Sequence, residues 1–307
     1  MLMLILSISG TVLMVSYLLW LFQRERKKNR YSPFTEKMLR TPGYTLNYEL
    51  DDLAETIMIP FIVIALLPVT YFFIAQDLGF EIKIFSGLIV IGVMIWELRK
   101  VRNIFLKSRK LKLGLDGEVY AGQELNCLMR QGAWVYHDIP YKYGNIDHII
   151  VSKAGIFAVE TKTFRKPVND KGTKEAKVFV KNGSLVFPHF TTSKPIEQAK
   201  RHSEYVKKFL LEETGYNYPV YAVVALPGWY VDSGKNKNGF LVVNPKRGKG
   251  IERYLQDKKI PQEKLDRAVF VIEKFARNVI SRTDLTDPDA DKKYGLFLKR
   301  KPEEHRL

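Results

Sequence analysis

Three long apolar stretches occupy the first third of the chain and constrain its fold more than any other feature. The first covers residues 1–22 without a charged side chain, and two more cover residues 57–75 and 82–97. A helix of about 20 apolar residues can cross about 30 Å of hydrocarbon. The first stretch lacks the basic start and the small-residue cleavage site of a signal peptide, so we expect it to be retained as an anchor. Residues 1–98 are therefore predicted to form a helical membrane region of about three spans.

Basic residues flank these stretches unevenly. "QRERKKNR" follows the first stretch and "LRKVRNIFLKSRKLK" follows the third, whereas "QDLGFEIK", from the end of the second stretch to the start of the third, carries Asp77, Glu81 and a single lysine, Lys83. Lys and Arg are enriched on the cytoplasmic side of membrane helices. We therefore expect a multi-pass protein of the cell membrane, with the N-terminus outside and the C-terminal domain in the cytoplasm. Residues 99–113 are interpreted as a basic juxtamembrane linker, which lies along anionic lipid head groups or is simply a stop-transfer flank.

The rest of the chain has the composition of a soluble domain with a basic surface. The whole chain carries 49 Lys and Arg against 33 Asp and Glu, a formal net charge of +16. This balance favours nucleic acid or an anionic membrane as a partner, and a solvated basic surface is the alternative. Cys127 is the only cysteine, which excludes an intramolecular disulfide framework and a thiolate metal site. Its apolar helical surroundings predict a small core residue.

Helix and strand patterns alternate after residue 113. "DGEVYAGQELNCLMRQ" has helical spacing, and Asp116 is expected to cap this helix, with Glu118 in its first turn. "PIEQAKRHSEYVKKFLLEET" and "PQEKLDRAVFVIEKFARNVI" are amphipathic and predict two more helices. Strand patterns lie between them, and Asn182-Gly183 predicts a type I′ hairpin turn.

The order of these patterns predicts an α/β fold. A helix, a meander of strands, a helix, two strands and a final helix indicate a mixed sheet flanked by helices. We assign this domain to residues 114–280 and a polar tail to residues 281–307.

The segment "NIDHIIVSKAGIFAVETK" places charges in a strand pair that is otherwise apolar. A four-residue loop between its strands would pair Val151 with Ile156 and Asp147 with Glu160. Lys162 would lie on the same face, two residues beyond Glu160. The charges would then be concentrated at one end of a hairpin that is covered on both sides.

Two facing carboxylates raise each other's pKa unless a cation lies between them. A hard divalent ion such as Mg²⁺ takes oxygen ligands and suits this pair without histidine or cysteine. The nearby lysine could hold a water or a phosphate oxygen, so these are the parts needed for metal-assisted phosphodiester hydrolysis. The alternative is a buried ion network with a structural role only.

Three blocks, "GEVYAGQEL", "NIDHIIVSKAGIFAVETK" and "KPIEQAKRH", occur in this order between residues 117 and 202. They resemble the nuclease-related domain (NERD) family, a branch of the PD-(D/E)XK nuclease-like superfamily. The resemblance implies a restriction-endonuclease-like mixed sheet. It also implies that Asp147 and Glu160 are metal-binding carboxylates and that the Thr161 carbonyl is a further ligand of Mg²⁺ or Mn²⁺.

The resemblance extends to other side chains of the expected site. Lys162 matches the lysine of the superfamily, and Glu118 matches a helix glutamate that approaches the metal in related nucleases. Gln198 matches a glutamine that borders the site. The sequence departs from some related helicase-nucleases at His202, where those proteins have a tyrosine four residues after the glutamine.

These inferences predict a membrane-anchored, cytoplasm-facing, metal-dependent nuclease that hydrolyses nucleic acid, with DNA favoured by analogy. One alternative is a catalytically weak nuclease-like module that binds nucleic acid or a protein partner at the membrane. Another is a membrane scaffold in which the spans carry the function. The complete set of Asp147, Glu160 and Lys162 favours the enzyme. The absence of charged residues within 1–22, 57–75 and 84–96, the apolar parts of the spans, argues against transport.

Overall fold

The computed structural model describes residues 36–167, 176–232, 239–257 and 259–279, together with positions 13–14, 16–18, 20–21 and 24. Most of the predicted first span and the whole predicted tail therefore lie outside the described residues. The chain divides into two compact units, residues 40–276 and a smaller unit formed by residues 1–39 and 277–307. In the smaller unit, strand β1 (Met38–Leu39) pairs antiparallel with a strand at Arg277–Val279.

The long helices of the larger unit fall into two groups. The N-terminal group comprises α1 (Tyr44–Thr56), α2 (Met58–Ile74) and α3 (Phe80–Leu125), and the later group comprises α4 (Lys194–Thr214) and α5 (Gln262–Ala276). The N-terminal group forms an antiparallel hairpin. At its turn the Tyr71 hydroxyl donates to the Lys83 carbonyl at 2.5 Å, and at its base Leu46 packs close to Gly114.

One helical stretch within the described residues, Tyr44–Asp77, is long and apolar enough to cross a membrane. It contains the predicted span at residues 57–75, and almost none of its most apolar part is buried. The predicted span at residues 82–97 forms part of α3 and does not meet the same length and composition test. The structure therefore supports a single candidate span, and the three-span arrangement remains a prediction.

The main sheet is mixed. Its spatial order is β10 (Phe240–Val243), β8 (Val220–Ala225), β4 (Gly155–Thr161), β3 (Gly144–Ser152) and β2 (Trp134–Tyr141). The first three strands are parallel, and the last three are antiparallel. A smaller sheet has the order β7 (Thr191–Thr192), β6 (Ser184–Val186), β5 (Lys177–Lys181) and β9 (Tyr230–Asp232). The predicted mixed α/β fold with flanking helices is confirmed.

The predicted register of the β3–β4 hairpin is also confirmed. Val151 pairs with Ile156, and the ladder continues to Ser152 and Gly155. The turn therefore contains two residues instead of four, without any change of register. Ile149 packs in the core cluster that includes residues of α4 and α5, and Ile150 packs in a second cluster with residues at the end of α3. The hairpin is thus covered on both faces.

Two local predictions are wrong. Asp116 does not cap a helix, because α3 begins at Phe80 and continues through this position, so Glu118 lies near the end of a 46-residue helix. Residues 99–113 contain no proline and many strong helix formers, which lets the helix continue. Cys127 is exposed, since the chain tightens into a 3₁₀ turn at Asn126–Gln131 and leaves the helical spacing.

Candidate active site

Three acidic side chains, Asp147, Glu160 and Glu118, converge at one end of the main sheet. Asp147 lies in β3 and Glu160 in β4, and the hairpin register places them on the same face. Glu118 approaches from α3. The three residues are 6%, 1% and 8% exposed, respectively. Carboxylates buried this close together repel one another, so the arrangement is unfavourable unless protons or a cation offset the charge.

The pKa values of the cluster reflect this repulsion. Burial raises the pKa of Glu118 to about 8, and the charges of Asp138 and Glu160 add to the effect. Burial also raises the pKa of Asp147 well above its usual range, again with a contribution from Glu160. The Thr161 amide donates to Asp147 Oδ2 at 2.6 Å, which opposes the rise without cancelling it. Without a bound cation, we expect the cluster to hold protons near neutral pH.

Glu160 has two basic neighbours. Lys162 Nζ lies 2.5 Å from Glu160 Oε1, and His202 Nδ1 lies 3.2 Å from Glu160 Oε2. The second approach lacks hydrogen-bond geometry, so both of its atoms are buried without a hydrogen-bond partner among the described residues. Burial lowers the pKa of Lys162, but the surrounding carboxylates, Glu160 above all, outweigh it and the pKa is raised. Lys162 is therefore a charged donor, and with 35% of its side chain exposed it reaches the open side of the site.

A close approach between α3 and the end of β4 positions Glu118. A Cβ atom at Gly117 would overlap the Thr163 side chain, so only glycine allows the helix to approach the residues that follow Lys162. Glu118, the next residue along α3, thereby enters the cluster. Its Oε2 atom is buried without a hydrogen-bond partner among the described residues.

The glutamine predicted to border the site lies on α4. Gln198 is half-buried and precedes His202 by one helical turn, which places both side chains on one face of the helix. His202 is fully buried, and its Nε2 atom is 3.0 Å from the Tyr141 hydroxyl. The structure thus adds His202 and Tyr141 to the surroundings of Glu160.

Asp138 is a further carboxylate that the sequence analysis missed. It is fully buried in β2 and has a left-handed backbone with φ of 51°, which is uncommon for a residue other than glycine. Arg40 donates to its Oδ2 atom at 2.7 Å, Thr45 donates to the same atom at 2.6 Å, and Asn145 donates to Oδ1 at 2.6 Å. The sequence does signal a buried charge here, because Asp138 interrupts an apolar strand. It does not reveal the partner, Arg40, which lies 98 residues earlier.

Two buried histidines lie on the opposite side of β3 from Asp147. His137 Nδ1 and His148 Nδ1 are 2.9 Å apart, and His137 Nε2 lies 3.1 Å from the Asn126 side-chain oxygen. Burial lowers the pKa of His137 to about 4 and that of His148 well below its usual range. Both rings are therefore neutral near pH 7 and act as packing and hydrogen-bonding groups.

The donor set suits a hard divalent ion with an incomplete protein shell. Asp147, Glu160 and Glu118 interact electrostatically, but among the described residues no three His, Cys, Asp or Glu side chains lie close enough together to be joint ligands of one ion. Glu118 and Glu160 nevertheless each present a buried oxygen without a hydrogen-bond partner. Mg²⁺ usually retains several waters and binds through one or two carboxylates together with substrate phosphates. The residues present therefore fit Mg²⁺ or Mn²⁺ better than a metal that needs a complete protein cage.

Part of the chain is similar to a known protein family. Residues 113–227 match the model of the NERD family, described as "Nuclease-related domain". No curated protein and no solved structure matches the chain. The matched region contains the cluster at the end of the main sheet, and it supports a nuclease-related function.

Proposed function

We propose that the chain is a membrane-anchored nuclease of restriction-endonuclease-like fold, a member of the PD-(D/E)XK superfamily that depends on Mg²⁺ or Mn²⁺. The observation that carries the proposal is the convergence of Asp147, Glu160 and Lys162 at one end of a buried hairpin inside the matched region. Its substrate is nucleic acid, and DNA is favoured over RNA through the family resemblance alone.

Each residue of the cluster has a proposed role. Asp147, Glu160 and the Thr161 carbonyl would hold the ion, with Glu118 beside it. When bound, the ion would polarise the phosphate and lower the pKa of a bound water. Because Asp147 and Glu118 hold protons in the metal-free state, metal binding should release them and strengthen as the pH rises. Lys162 would stabilise negative charge that develops on the phosphate.

Membrane anchoring is supported by the exposed apolar helix at Tyr44–Asp77. The cytoplasmic position of the nuclease-related domain follows from the basic flanks of the apolar stretches. A reporter enzyme that is active only outside the cytoplasm, fused after Leu307, should stay silent. Strong reporter activity would refute this orientation.

A second candidate function rests on the pairing of Lys162 with Glu160. The short contact between these side chains is also what a structural ion network would contain. If the ion pair between Lys162 and Glu160 persists when a ligand binds, Lys162 cannot contact a phosphate. The domain would then bind nucleic acid or a protein partner at the membrane with little or no catalysis.

Cleavage and metal-dependent stability together distinguish the two functions. The full chain in detergent or nanodiscs is incubated with plasmid DNA, single-stranded DNA and RNA in Mg²⁺, Mn²⁺ or EDTA. Asp147→Asn should abolish cleavage and the rise in melting temperature caused by metal, because a ligand of the folded state stabilises it by mass action. The exposed Asp266→Asn on α5 is the matched control and should change neither.

The stability of the metal-free proteins also distinguishes the nuclease from a structural ion network. Asp147→Asn should be as stable as the wild type in EDTA, or more so, because it removes a carboxyl group whose ionised form burial and the charge of Glu160 disfavour. The structural network predicts the reverse. A wild type indifferent to metal, with both Asp147→Asn and Lys162→Ala destabilised by about 3–5 kcal/mol, would refute the nuclease proposal.

A further inference from the structure

The turn between β2 and β3 carries a lysine and a tyrosine that its backbone does not require. Tyr141 pairs with Gly144, so Lys142 and Tyr143 form a two-residue hairpin turn. Such turns favour residues with positive φ, and the chain follows this rule at Asn182-Gly183, where φ is 48° and 72°. Neither Lys142 nor Tyr143 has a positive φ. The backbone conformation of the turn therefore does not require a lysine and a tyrosine at these two positions.

The same turn presents an aromatic ring to solvent. Tyr143 is 77% exposed, and Lys142 Nζ lies 5.4 Å from the centre of its ring. The ring is held edge-on against Tyr141, with centroids 6.1 Å apart. An exposed aromatic ring with an adjacent lysine is the combination that contacts bases and phosphates in proteins that bind single-stranded nucleic acid.

A chain of direct contacts connects this ring to the carboxylate cluster. The Tyr141 ring packs edge-on against His202, with centroids 5.0 Å apart, and its hydroxyl lies 3.0 Å from His202 Nε2. His202 Nδ1 in turn lies 3.2 Å from Glu160 Oε2. Tyr143 thus contacts Tyr141, Tyr141 contacts His202, and His202 lies beside Glu160. This places Tyr143 at the rim of the candidate active site.

Two basic side chains, Lys142 and Arg201, are near the tyrosines of this turn. Burial and the charge of Glu160 raise the pKa of Tyr141, and Arg201 is close enough to oppose them. Arg201 is exposed on α4 beside His202, and Lys142 is in the turn itself. Lys142 thus lies beside the Tyr143 ring, and Arg201 lies close enough to Tyr141 to act on it electrostatically, so both can offer positive charge to a polyanion near this turn.

From this juxtaposition we propose that Tyr143 is a base-stacking residue, on which an unpaired nucleobase of the substrate stacks while Lys142 and Arg201 contact the adjoining phosphates. The proposal rests on the proposed nuclease function and narrows its substrate to nucleic acid with an unpaired base near the site, such as a single strand or a frayed end. Intact duplex offers no free base face to the ring. Stacking tolerates any base, so no sequence preference is expected.

Equilibrium binding in EDTA tests the proposal without cleavage. The full chain in detergent is titrated with a fluorescent oligothymidylate, and affinity is read from anisotropy. Tyr143→Ala should weaken binding about fivefold or more, the effect of losing one stacked base, and Tyr143→Phe should preserve it. Phe270→Ala is the matched control, because this ring is 71% exposed on α5, and its binding should equal that of the wild type.

A fully abasic oligomer of the same length separates stacking from charge. The wild type should bind it more weakly than oligothymidylate, whereas Tyr143→Ala should bind the two alike. Equal affinities of the wild type and Tyr143→Ala for oligothymidylate would overturn the stacking role, and the nuclease proposal would stand if both proteins still cleave. A wild type that binds neither oligomer at low salt would overturn both proposals.

Discussion

Glu118→Gln tests whether the carboxylate cluster is electrostatically strained when no metal is bound. Glu118 is buried beside Asp138 and Glu160, and its pKa is raised from 4.5 to about 8. Glutamine has nearly the same shape and no charge. The substitution should therefore remove a pH-dependent loss of stability and leave the packing of α3 unchanged.

The sign and size of the effect follow from linkage between protonation and folding. A carboxyl group whose pKa is higher in the folded state than in the unfolded state destabilises the protein as the pH rises between the two values. For Glu118, the difference between a pKa of 4.5 and one of about 8 corresponds to roughly 4 to 5 kcal/mol above pH 8. Roughly 2 kcal/mol of this loss falls between pH 6.5 and 8.

The assay is reversible urea unfolding of the full chain in detergent and EDTA, at several pH values from 6.5 to 9. Unfolding is followed by tryptophan fluorescence, to which Trp229, fully buried in the core of the larger unit, contributes together with the three other tryptophans. The wild type should lose stability with rising pH, and Glu118→Gln should lose clearly less. The exposed Glu204→Gln on α4 serves as the control and should follow the wild type.

At pH 6.5 and above, protonation of the two buried histidines contributes little to the pH dependence of stability. The lowered pKa values of His137 and His148 affect stability below pH 6.5, where the unfolded state takes up protons. The reasoning would be refuted if wild type and Glu118→Gln showed the same pH dependence above pH 6.5. Mg²⁺ should flatten the wild-type profile if the ion neutralises the cluster, as proposed.

Three further predictions follow from the same structure. Lys162→Ala should lose cleavage and keep most of the metal-induced rise in melting temperature; loss of that rise would make the lysine part of the metal site. Arg40→Ala should lower the free energy of urea unfolding by about 3–5 kcal/mol, because it leaves the Asp138 carboxylate buried without its cation, and adding Asp138→Asn should recover part of the loss. Wild-type stability should fall as the pH drops from 6.5 towards 4, by roughly 3 kcal/mol on account of His137, whose pKa is lowered to about 4. His137→Asn should reduce this fall, and an unchanged acid profile would contradict the buried neutral ring.

Local sequence patterns determined the hairpin at the centre of the site. The side-chain period of a strand is two, and a shift of one residue would move every apolar side chain to the other face, so the register of Val151 with Ile156 was already specified. Because Asp147, Glu160 and Lys162 belong to this hairpin, their convergence needed no long-range information. The tight turn at Asn182-Gly183 was predictable for the same reason, since both residues accept positive φ.

Only the tertiary structure decided which distant groups surround that hairpin. The partner of Asp138 is Arg40, 98 residues away, and no local pattern encodes such a contact. His202 reaches Glu160 because of how α4 packs on the sheet, and Glu118 enters the cluster because Gly117 lets α3 approach Thr163. The start of α3 was missed because Asp116 has the features of a cap, although helical propensity continues across it. Strand register is a local property with a large energetic penalty for error, whereas the position of one element against another depends on packing among residues far apart in the chain.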